Sequence, residues 1–486
     1  MHRHTAFPID WLKQQASAHE FHRGLRVGPA ALSLPIPPGF SGHDFVIYLL
    51  TIAAEIEHAL MVQYLCSAYS LGGPQVPAEH RAAVLDWQNT LLGIAKEEMG
   101  HFITVQNILR VLGGPLNFRR EDFPWDSDVT PFPFSLEPLS KGVVAKYVVT
   151  ESSPNWGSDV SPDIKAQIEA QATENAGREV KPVGILYAYM IELLKDPRIV
   201  PDSAFLADSL PYQASWDEWG RAYAGPSKPP APGQERRPDL LIGTAYSRGS
   251  AVDALKAVAE QGEAPDVDYG AGEHSHFKKF LDLWRAYPPD GTWLPFRPVA
   301  INPIVPFDPN LPKVRSHGLR EALADHASLS VITNPVSAYW GILFNLRYRI
   351  LLNYLAHSLS LSGPQLAQPP DNARGLLTHS TFGEMYNLRA LAGILVQLPL
   401  GDADDPLRAG PPFQMPYTLS LPTEEAGRWR VHLDLLMGAA ELIDRQMLPT
   451  ATGHQKDYLL ALRGADAETM KAIRTILDPC RPSTRL

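Results

Sequence analysis

GIAKEEMGHF, residues 93–102, lies within an apolar stretch and places Glu98 three residues before His101. Three positions are slightly less than one helical turn, so the two side chains share a face of a helix. Such a pair can be a surface ion pair, a satisfied pair in the core or half of a metal site. One Glu-x-x-His motif does not decide between these, because it occurs often by chance. The adjacent Glu97 is predicted to point away from this face.

A second Glu-x-x-His motif, EHSH at 273–276, lies on another predicted helix. A di-metal helical bundle takes one Glu from each of two helices and a Glu-x-x-His motif from each of two others. Several anionic oxygens are needed there to offset the charge of the two ions. Two motifs are more specific than one, so Glu98, His101, Glu273 and His276 are predicted metal ligands.

The remaining ligands of such a site are carboxylates on the other helices. Glu55 and Glu57 lie mid-helix in TIAAEIEHAL, but positions two apart diverge by about 200° and only one of them can face the core. A buried ionised Glu without a partner costs several kcal/mol, so the inward one requires a cation. The last ligand stays open among several carboxylates at or near predicted helix ends: Glu151, Glu192, Glu260 and Glu263.

Composition limits the class of protein. A chain of 486 residues predicts two domains, and a net charge of −10 without a basic block argues against nucleic-acid binding. The two cysteines, Cys66 and Cys480, are far apart, which is typical of a reducing compartment. The N-terminal residues show no secretory signal, and no uninterrupted apolar run reaches the ~18 residues of a membrane span. A soluble cytoplasmic protein without a membrane partner is expected.

Helical periodicity dominates the chain, and strand signals are scarce. Helices are predicted at about 44–71, 77–112, 139–151, 181–195, 250–262 and 270–285. Gly and Pro at 72–74 and 113–115 end the first two. The fold class is therefore mostly α.

The second half of the chain echoes the first. LMVQYLCSAYSLGGPQV at 60–76 matches ILLNYLAHSLSLSGPQL at 350–366, and Glu98 aligns with Glu384. Arg347 then stands opposite Glu57, and Asn387 stands opposite His101. The prediction is an irregular arm at 1–43, a metal-binding bundle at 44–300 and a degenerate repeat of that helical bundle at 301–486.

Five stretches in order resemble one family: IEHALMVQYLCSAYSLGG, IAKEEMGHFITVQNILRVLGGP, VVTESSP, AVAEQGE and GEHSHFKKF. They are similar to the ferritin-like domain related to iminophenyl-pyruvate dimer synthase, found in violacein- and rebeccamycin-type pathways. The resemblance implies a ferritin-like four-helix bundle whose metal ligands match Glu57, Glu98, His101, Glu151, Glu273 and His276. One position departs from the family, because Ile185 stands where a Glu is expected. Glu192 or Glu151 could replace that ligand, and the site could hold one metal or an asymmetric pair.

The resemblance further implies iron (Fe2+/Fe3+) as the cofactor, and manganese also suits mixed carboxylate and imidazole ligands. The leading hypothesis is a non-haem iron oxidase or oxygenase that uses O2 on a small amino-acid-derived or aromatic metabolite. The alternative is a non-catalytic metal-binding or scaffolding partner of a biosynthetic enzyme, which the degenerate repeat and Ile185 favour. A homodimer and a biosynthetic enzyme are the protein partners left open.

Overall fold

The computed structural model describes residues 36–127, 130–153, 156, 160–216, 218–219, 241–263, 274–306, 329–362, 373–415 and 419–478. The described residues up to Arg297 form one compact unit, and those from Pro298 form a second. Most of the predicted N-terminal arm, at 1–35, lies outside the described residues.

Among its described residues, the first unit contains seven α-helices. They are α1 Gly42–Ser70, α2 Arg81–Val111, α3 Lys141–Thr150, α4 Pro162–Ala176, α5 Gly184–Lys195, α6 Arg248–Glu263 and α7 His276–Ala286. Short 3-10 turns occur at Ala78–His80, Asp202–Ala204 and Ala207–Tyr212. Helix α4 was not among the predicted helices, whereas the other six correspond to predicted ones.

Helices α1 and α2 form an antiparallel pair. His43 near the start of α1 contacts the Leu112 carbonyl at 2.8 Å, and Gln88 near the start of α2 donates to the Ala68 carbonyl. Each of the other two positions of the bundle is filled by two shorter helices. The Val183 amide donates to the Thr150 carbonyl at 3.0 Å, so α5 follows directly on the end of α3. Helix α7 packs against α3, and α6 packs against α5, which completes a four-helix bundle.

Local sequence signals fix the helix ends around the site. The Ser41 and Ser275 hydroxyls cap the first turns of α1 and α7 by accepting amide hydrogen bonds. Gly113 follows α2 with a φ of +72°, a left-handed conformation that favours glycine. By length and composition α1 could cross a membrane, but 67% of its apolar window is buried inside the protein, as in the core helix of a globular bundle.

The second unit is also helical. It contains α8 Pro335–Ser358, α9 Ala373–Leu395, α10 Glu425–Leu442 and α11 Gly453–Leu477, with a π-helical turn at Ile443–Met447 between the last two. Two-residue strands, β1 Pro303–Ile304 and β2 Ser330–Val331, pair in parallel. Helix α8 packs against α9 and α10, and α10 packs against α11.

A buried ion-pair cluster lies inside this second unit. The Arg347 guanidinium on α8 donates to Glu384 on α9 at 3.1 Å and to Asp466 on α11 at 2.7 Å. Asn387 donates to the other oxygen of Glu384 at 3.1 Å. Arg347, Glu384 and Asn387 are the residues that the sequence alignment sets opposite Glu57, Glu98 and His101. The common origin of the two units remains a prediction.

Candidate metal centre

Glu98 and His101 on α2 lie on one buried face, and each is 3% exposed or less. His101 Nδ1 lies 2.9 Å from Glu98 Oε2, a distance that the spacing of three residues in a helix permits. The opposite ring nitrogen, Nε2, lies 2.9 Å from Gln261 Oε1 on α6. Helix α2 therefore turns both side chains into the bundle interior.

His276 is the first residue of α7 and is fully buried. Its Nδ1 atom lies 2.9 Å from Glu98 Oε1 and 3.6 Å from Glu151 Oε2. The two imidazole rings are 5.4 Å apart between centroids. Glu273, the other half of the predicted EHSH motif, lies outside the described residues.

Glu57 on α1 is the inward residue of the Glu55/Glu57 pair. It is 2% exposed, and its Oε2 atom lies 3.7 Å from His101 Nδ1, while its Oε1 atom accepts a hydrogen bond from the Tyr187 hydroxyl. Glu55 is half-buried on another face and accepts a hydrogen bond from Asn117 at 2.9 Å.

Glu151, at the C-terminal end of α3, brings the third carboxylate to the centre. It is 2% exposed, and its Oε1 atom accepts a hydrogen bond from the Tyr64 hydroxyl. Glu192 lies elsewhere, half-exposed and 2.5 Å from Lys195 Nζ. Of the two residues that could replace the missing Glu at Ile185, only Glu151 lies in the cluster. The break between α3 and α5 places it there.

The five clustered side chains have a two-sided arrangement around Glu98. On one side, Glu98 Oε2 faces His101 Nδ1, and Glu57 lies next to the same nitrogen. On the other side, Glu98 Oε1 faces His276 Nδ1, and Glu151 lies next to that nitrogen. Each side thus offers one imidazole nitrogen, one flanking carboxylate and one oxygen of the shared carboxylate. The structure brings together all five described residues of the ligand set that the resemblance implies, whereas the other described candidates, Glu192 and Glu260, lie outside the cluster.

Charges in the cluster are strongly coupled. Burial raises the pKa of Glu57 to about 8, and the Glu98 carboxylate adds to this rise. Burial lowers the pKa of His101, but Glu98 and Glu57 together outweigh burial and bring that pKa to about 10. Burial likewise lowers the pKa of His276, but the Glu98, Glu151 and Glu97 carboxylates together hold it well above its usual value. For Glu98, burial raises the pKa, but His276 and His101 together hold it well below the usual range.

Three buried ligand atoms in this cluster form no hydrogen bond of normal geometry among the described residues, although two of them, Glu98 Oε1 and His276 Nδ1, lie 2.9 Å apart as an ion pair. They are Glu57 Oε2, Glu98 Oε1 and His276 Nδ1. Native proteins pair nearly all such atoms, and an exception requires a physical explanation. One ligand atom each from Glu98, His101 and His276 lie within 4.8 Å of one another. Nitrogen and oxygen ligand atoms at this spacing fit a bound metal ion.

Sequence reasoning missed four residues that contact the ligands. Glu97 was predicted only to point away from the face of Glu98 and His101, and its contact with the outer nitrogen of His276, at 2.9 Å from Oε2 to Nε2, was not foreseen. Helix α7 packs beside α2 on that side, so adjacent positions of α2 both face neighbours. Gln261, Tyr64 and Tyr187 contact His101, Glu151 and Glu57 respectively. No local sequence pattern predicts these contacts. A partial exception is Lys279, which follows His276 by one helical turn and donates a hydrogen bond to Glu97.

Fold and centre together define a four-helix bundle of the kind that holds metal ions between carboxylate and histidine ligands. Residues 50–285 match the family model described as Ferritin-like. This part of the chain is therefore similar to the ferritin-like family, over slightly less than half of the chain.

Two curated proteins are similar to the chain. Dichlorochromopyrrolate synthase from Lentzea aerocolonigenes is 28% identical over 409 residues, which cover 76% of this chain and 36% of that protein. The 2-imino-3-(indol-3-yl)propanoate dimerase from Chromobacterium violaceum is 24% identical over 336 residues, which cover 61% of this chain and 29% of that protein. The chain thus spans about a third of the length of these relatives.

Among solved structures, a ferritin-like protein from Caulobacter vibrioides matches with a TM-score of 0.39 and 15% identity. The match covers 71% of this chain and 95% of that one.

Proposed function

We propose that this chain is a metal-dependent oxidoreductase, with non-haem iron as the metal and O2 as the oxidant. The observation that carries the proposal is the convergence of buried carboxylate and imidazole ligand atoms from three helices, on Glu57, Glu98, His101 and His276. Glu57 Oε2 has no hydrogen-bond partner among the described residues, and a buried acceptor left unpaired costs about 1–3 kcal/mol unless a ligand occupies it. The mixed carboxylate and imidazole set suits iron and manganese.

The proposed ligands are Glu57, Glu98, His101, Glu151 and His276, with Glu273 as a further ligand from the sequence. Bound iron would supply electron exchange with O2 and a positive charge that polarises a coordinated substrate.

The protein's own residues orient the carboxylates for this role. The Tyr187 hydroxyl donates to one oxygen of Glu57, and the Tyr64 hydroxyl donates to one oxygen of Glu151. The second oxygen of each carboxylate therefore turns towards a histidine. A carboxylate held in one orientation needs no reorganisation when a ligand or substrate arrives.

Aromatic packing separates the α3 side of the centre from water. The rings of Tyr64, Tyr147 and Phe280 lie between 4.6 and 5.2 Å apart, and Tyr64 and Tyr147 are fully buried. The half-buried side chains that touch the ligands are Glu97 and Gln261, and Lys279 binds Glu97, at the edge between α2, α6 and α7. That edge is the side from which we propose a substrate approaches.

The names of the relatives support a substrate class. One relative is named for an indole-bearing α-imino acid that it dimerises, and the other for the synthesis of dichlorochromopyrrolate. We therefore propose small amino-acid-derived or aromatic metabolites, with an α-imino acid as the first compound to test. A protein partner, either a second copy of the chain or a biosynthetic enzyme, is part of the same proposal.

Metal analysis of untagged protein loaded with Fe2+ under nitrogen tests the metal centre. Glu98→Ala/His101→Ala and Glu151→Ala should lose bound iron. Glu192→Ala should retain it, because this matched carboxylate lies in the same bundle but outside the cluster. Iron content equal in all four proteins, or absent from all of them, would refute the proposed centre.

Oxygen consumption by the ferrous protein then tests catalysis. The test uses aromatic amino acids and the imino acids formed from them by an amino-acid oxidase, with catalase present. Uptake that depends on substrate and is lost in Glu98→Ala/His101→Ala is expected. Iron binding without any such uptake would instead favour the non-catalytic, scaffolding alternative.

A further inference from the structure

The two histidines of the centre differ in what holds their outer nitrogen. His276 Nε2 lies 2.9 Å from a carboxylate oxygen of Glu97, whereas His101 Nε2 lies 2.9 Å from the amide oxygen of Gln261. Both partners can accept an N–H from Nε2, so each ring can give up the proton on Nδ1, the nitrogen that faces Glu98, to a bound cation. The inner halves of the site are thus alike, whereas the outer partner of His276 is an anionic carboxylate in an ion pair with Lys279 and that of His101 is a neutral amide.

Glu97 is itself held in place. Both of its oxygens accept hydrogen bonds from Lys279 Nζ, at 3.0 and 2.7 Å, and its side chain is only 17% exposed. His276 and Lys279 lie one turn apart on α7, so one helix presents both partners to the same carboxylate. This arrangement fixes the orientation of Glu97 and therefore of the imidazole that it contacts.

A carboxylate on the outer nitrogen of a histidine makes the inner nitrogen a stronger metal ligand. The carboxylate fixes the tautomer and ring orientation and raises ligand basicity, and its loss typically costs about 10–100-fold in metal affinity. A neutral amide fixes the tautomer as well, but it adds no negative charge. The inner nitrogens of His276 and His101 are therefore unequal donors.

We infer that Glu97 is a positioning residue that makes the His276 side of the centre the higher-affinity of two unequal metal positions. The His276 side then fills first, and the His101 side, backed by Gln261, fills second. This inference rests on the proposed metal centre and goes beyond it, because it assigns an order of loading to residues outside the ligand set. It also gives Glu97 and Lys279 a role other than that of a structural ion pair.

Anaerobic titration of the metal-free full chain with Co2+ tests the inference. The readouts are the visible absorption of the bound ion and calorimetric heat, neither of which depends on activity. The wild-type chain should show two affinity classes. Glu97→Gln should weaken the first class by about 10–100-fold and leave the second unchanged. Gln261→Glu should tighten the second class, whereas the exposed neighbour Glu260→Gln should change neither.

Assignment of the classes uses the histidines themselves. His276→Ala should abolish the tighter class and His101→Ala the weaker one. In Glu97→Gln the retained weaker class, together with an unchanged far-UV helical signal, shows that the bundle is still folded.

Two results would overturn the inference while leaving the metal centre intact. These are equal affinities in the wild type, and equal weakening of both classes by Glu97→Gln. A wild-type chain that binds no Co2+ under conditions where Fe2+ and Mn2+ also fail would instead refute the metal centre itself, so the two failures are distinguishable.

Discussion

Replacing Arg347 with Met should strongly destabilise the second unit. The guanidinium is fully buried and donates hydrogen bonds to Glu384 and Asp466, which are 5% and 3% exposed. Its removal leaves two buried carboxylates facing each other without a counter-charge. Breaking a buried pair in this way costs about 3–5 kcal/mol, whereas an exposed pair contributes about 0–1 kcal/mol. Arg445, 72% exposed beside Glu441, is the matched control.

Hydrogen exchange followed by mass spectrometry measures this cost within one unit of a two-unit chain. A loss of 3–5 kcal/mol corresponds to a fall of about two to three and a half orders of magnitude in the protection of amides in α8 and α9. Arg445→Met should lower protection less than about fivefold. If Arg347→Met changed protection no more than this control, the guanidinium would not be compensating the buried carboxylates.

The pH dependence of the variant separates lost charge from lost packing. Burial raises the pKa of Glu384 even while Arg347 is present. A group whose pKa is higher in the folded state binds more protons there, so folding gains stability as pH falls. The deficit of Arg347→Met relative to wild type should therefore shrink between pH 8 and pH 5. A deficit that stayed constant over this range would indicate a packing defect.

Three further predictions concern single positions. Tyr187→Phe removes the hydroxyl that donates to Glu57, and iron affinity by equilibrium dialysis should fall about tenfold with no change in helical content. Gly341→Ala would place a Cβ 2.4 Å from an apolar side chain and should lower the free energy of urea unfolding by about 1–3 kcal/mol. Its control, Gly393→Ala, has open space around the new Cβ and should raise that free energy by about 0.5 kcal/mol. Burial and the neighbouring imidazole lower the pKa of His432 to about 3, so the unfolded state binds more protons at this residue as pH falls. Below pH ~6.5 the wild type should therefore lose stability relative to His432→Gln, by at most about 1.4 kcal/mol per pH unit, and a difference that stays flat between pH 7.5 and 5 would contradict this.

The long helices could be predicted because their signals are local. Helices predicted at about 44–71 and 77–112 are found at Gly42–Ser70 and Arg81–Val111. Apolar periodicity and the Gly and Pro residues that end it are properties of the chain itself. Helix α4 was missed because only Ile168 and Ala172 in it are buried, so it lacks an apolar stripe. The available signals were the ends of the helix, since Ser161 caps it, Pro162 suits its first position and Gly177 ends it in a left-handed conformation.

The metal centre could be predicted only in part, because only some of its contacts follow from local spacing along a helix. Glu98 and His101 were found because three residues along a helix fix which side chains share a face. The choice between Glu151 and Glu192 was not accessible, because it depends on where the third bundle position is broken. The position of Glu97 depends on α7, which is far away in sequence and packs against α2 on that side. Local geometry thus gives the pairs, and tertiary packing decides which further residues join them.

Both units bury carboxylates inside a helical bundle, but they balance the charge in different ways. In the second unit a guanidinium, which is always charged, is bound on two sides by carboxylates. The Arg347 charge is permanent, and it keeps the Glu384 and Asp466 carboxylates in hydrogen-bonded ion pairs. A metal ion could bind these carboxylates only by displacing the buried Arg347 side chain. In the first unit the balance depends on protons, since the pKa values of Glu57 and His101 lie near 8 and 10. Protons exchange with solvent, whereas a guanidinium stays in place. A cation can therefore replace the protons in the first unit and bind its carboxylates and imidazoles.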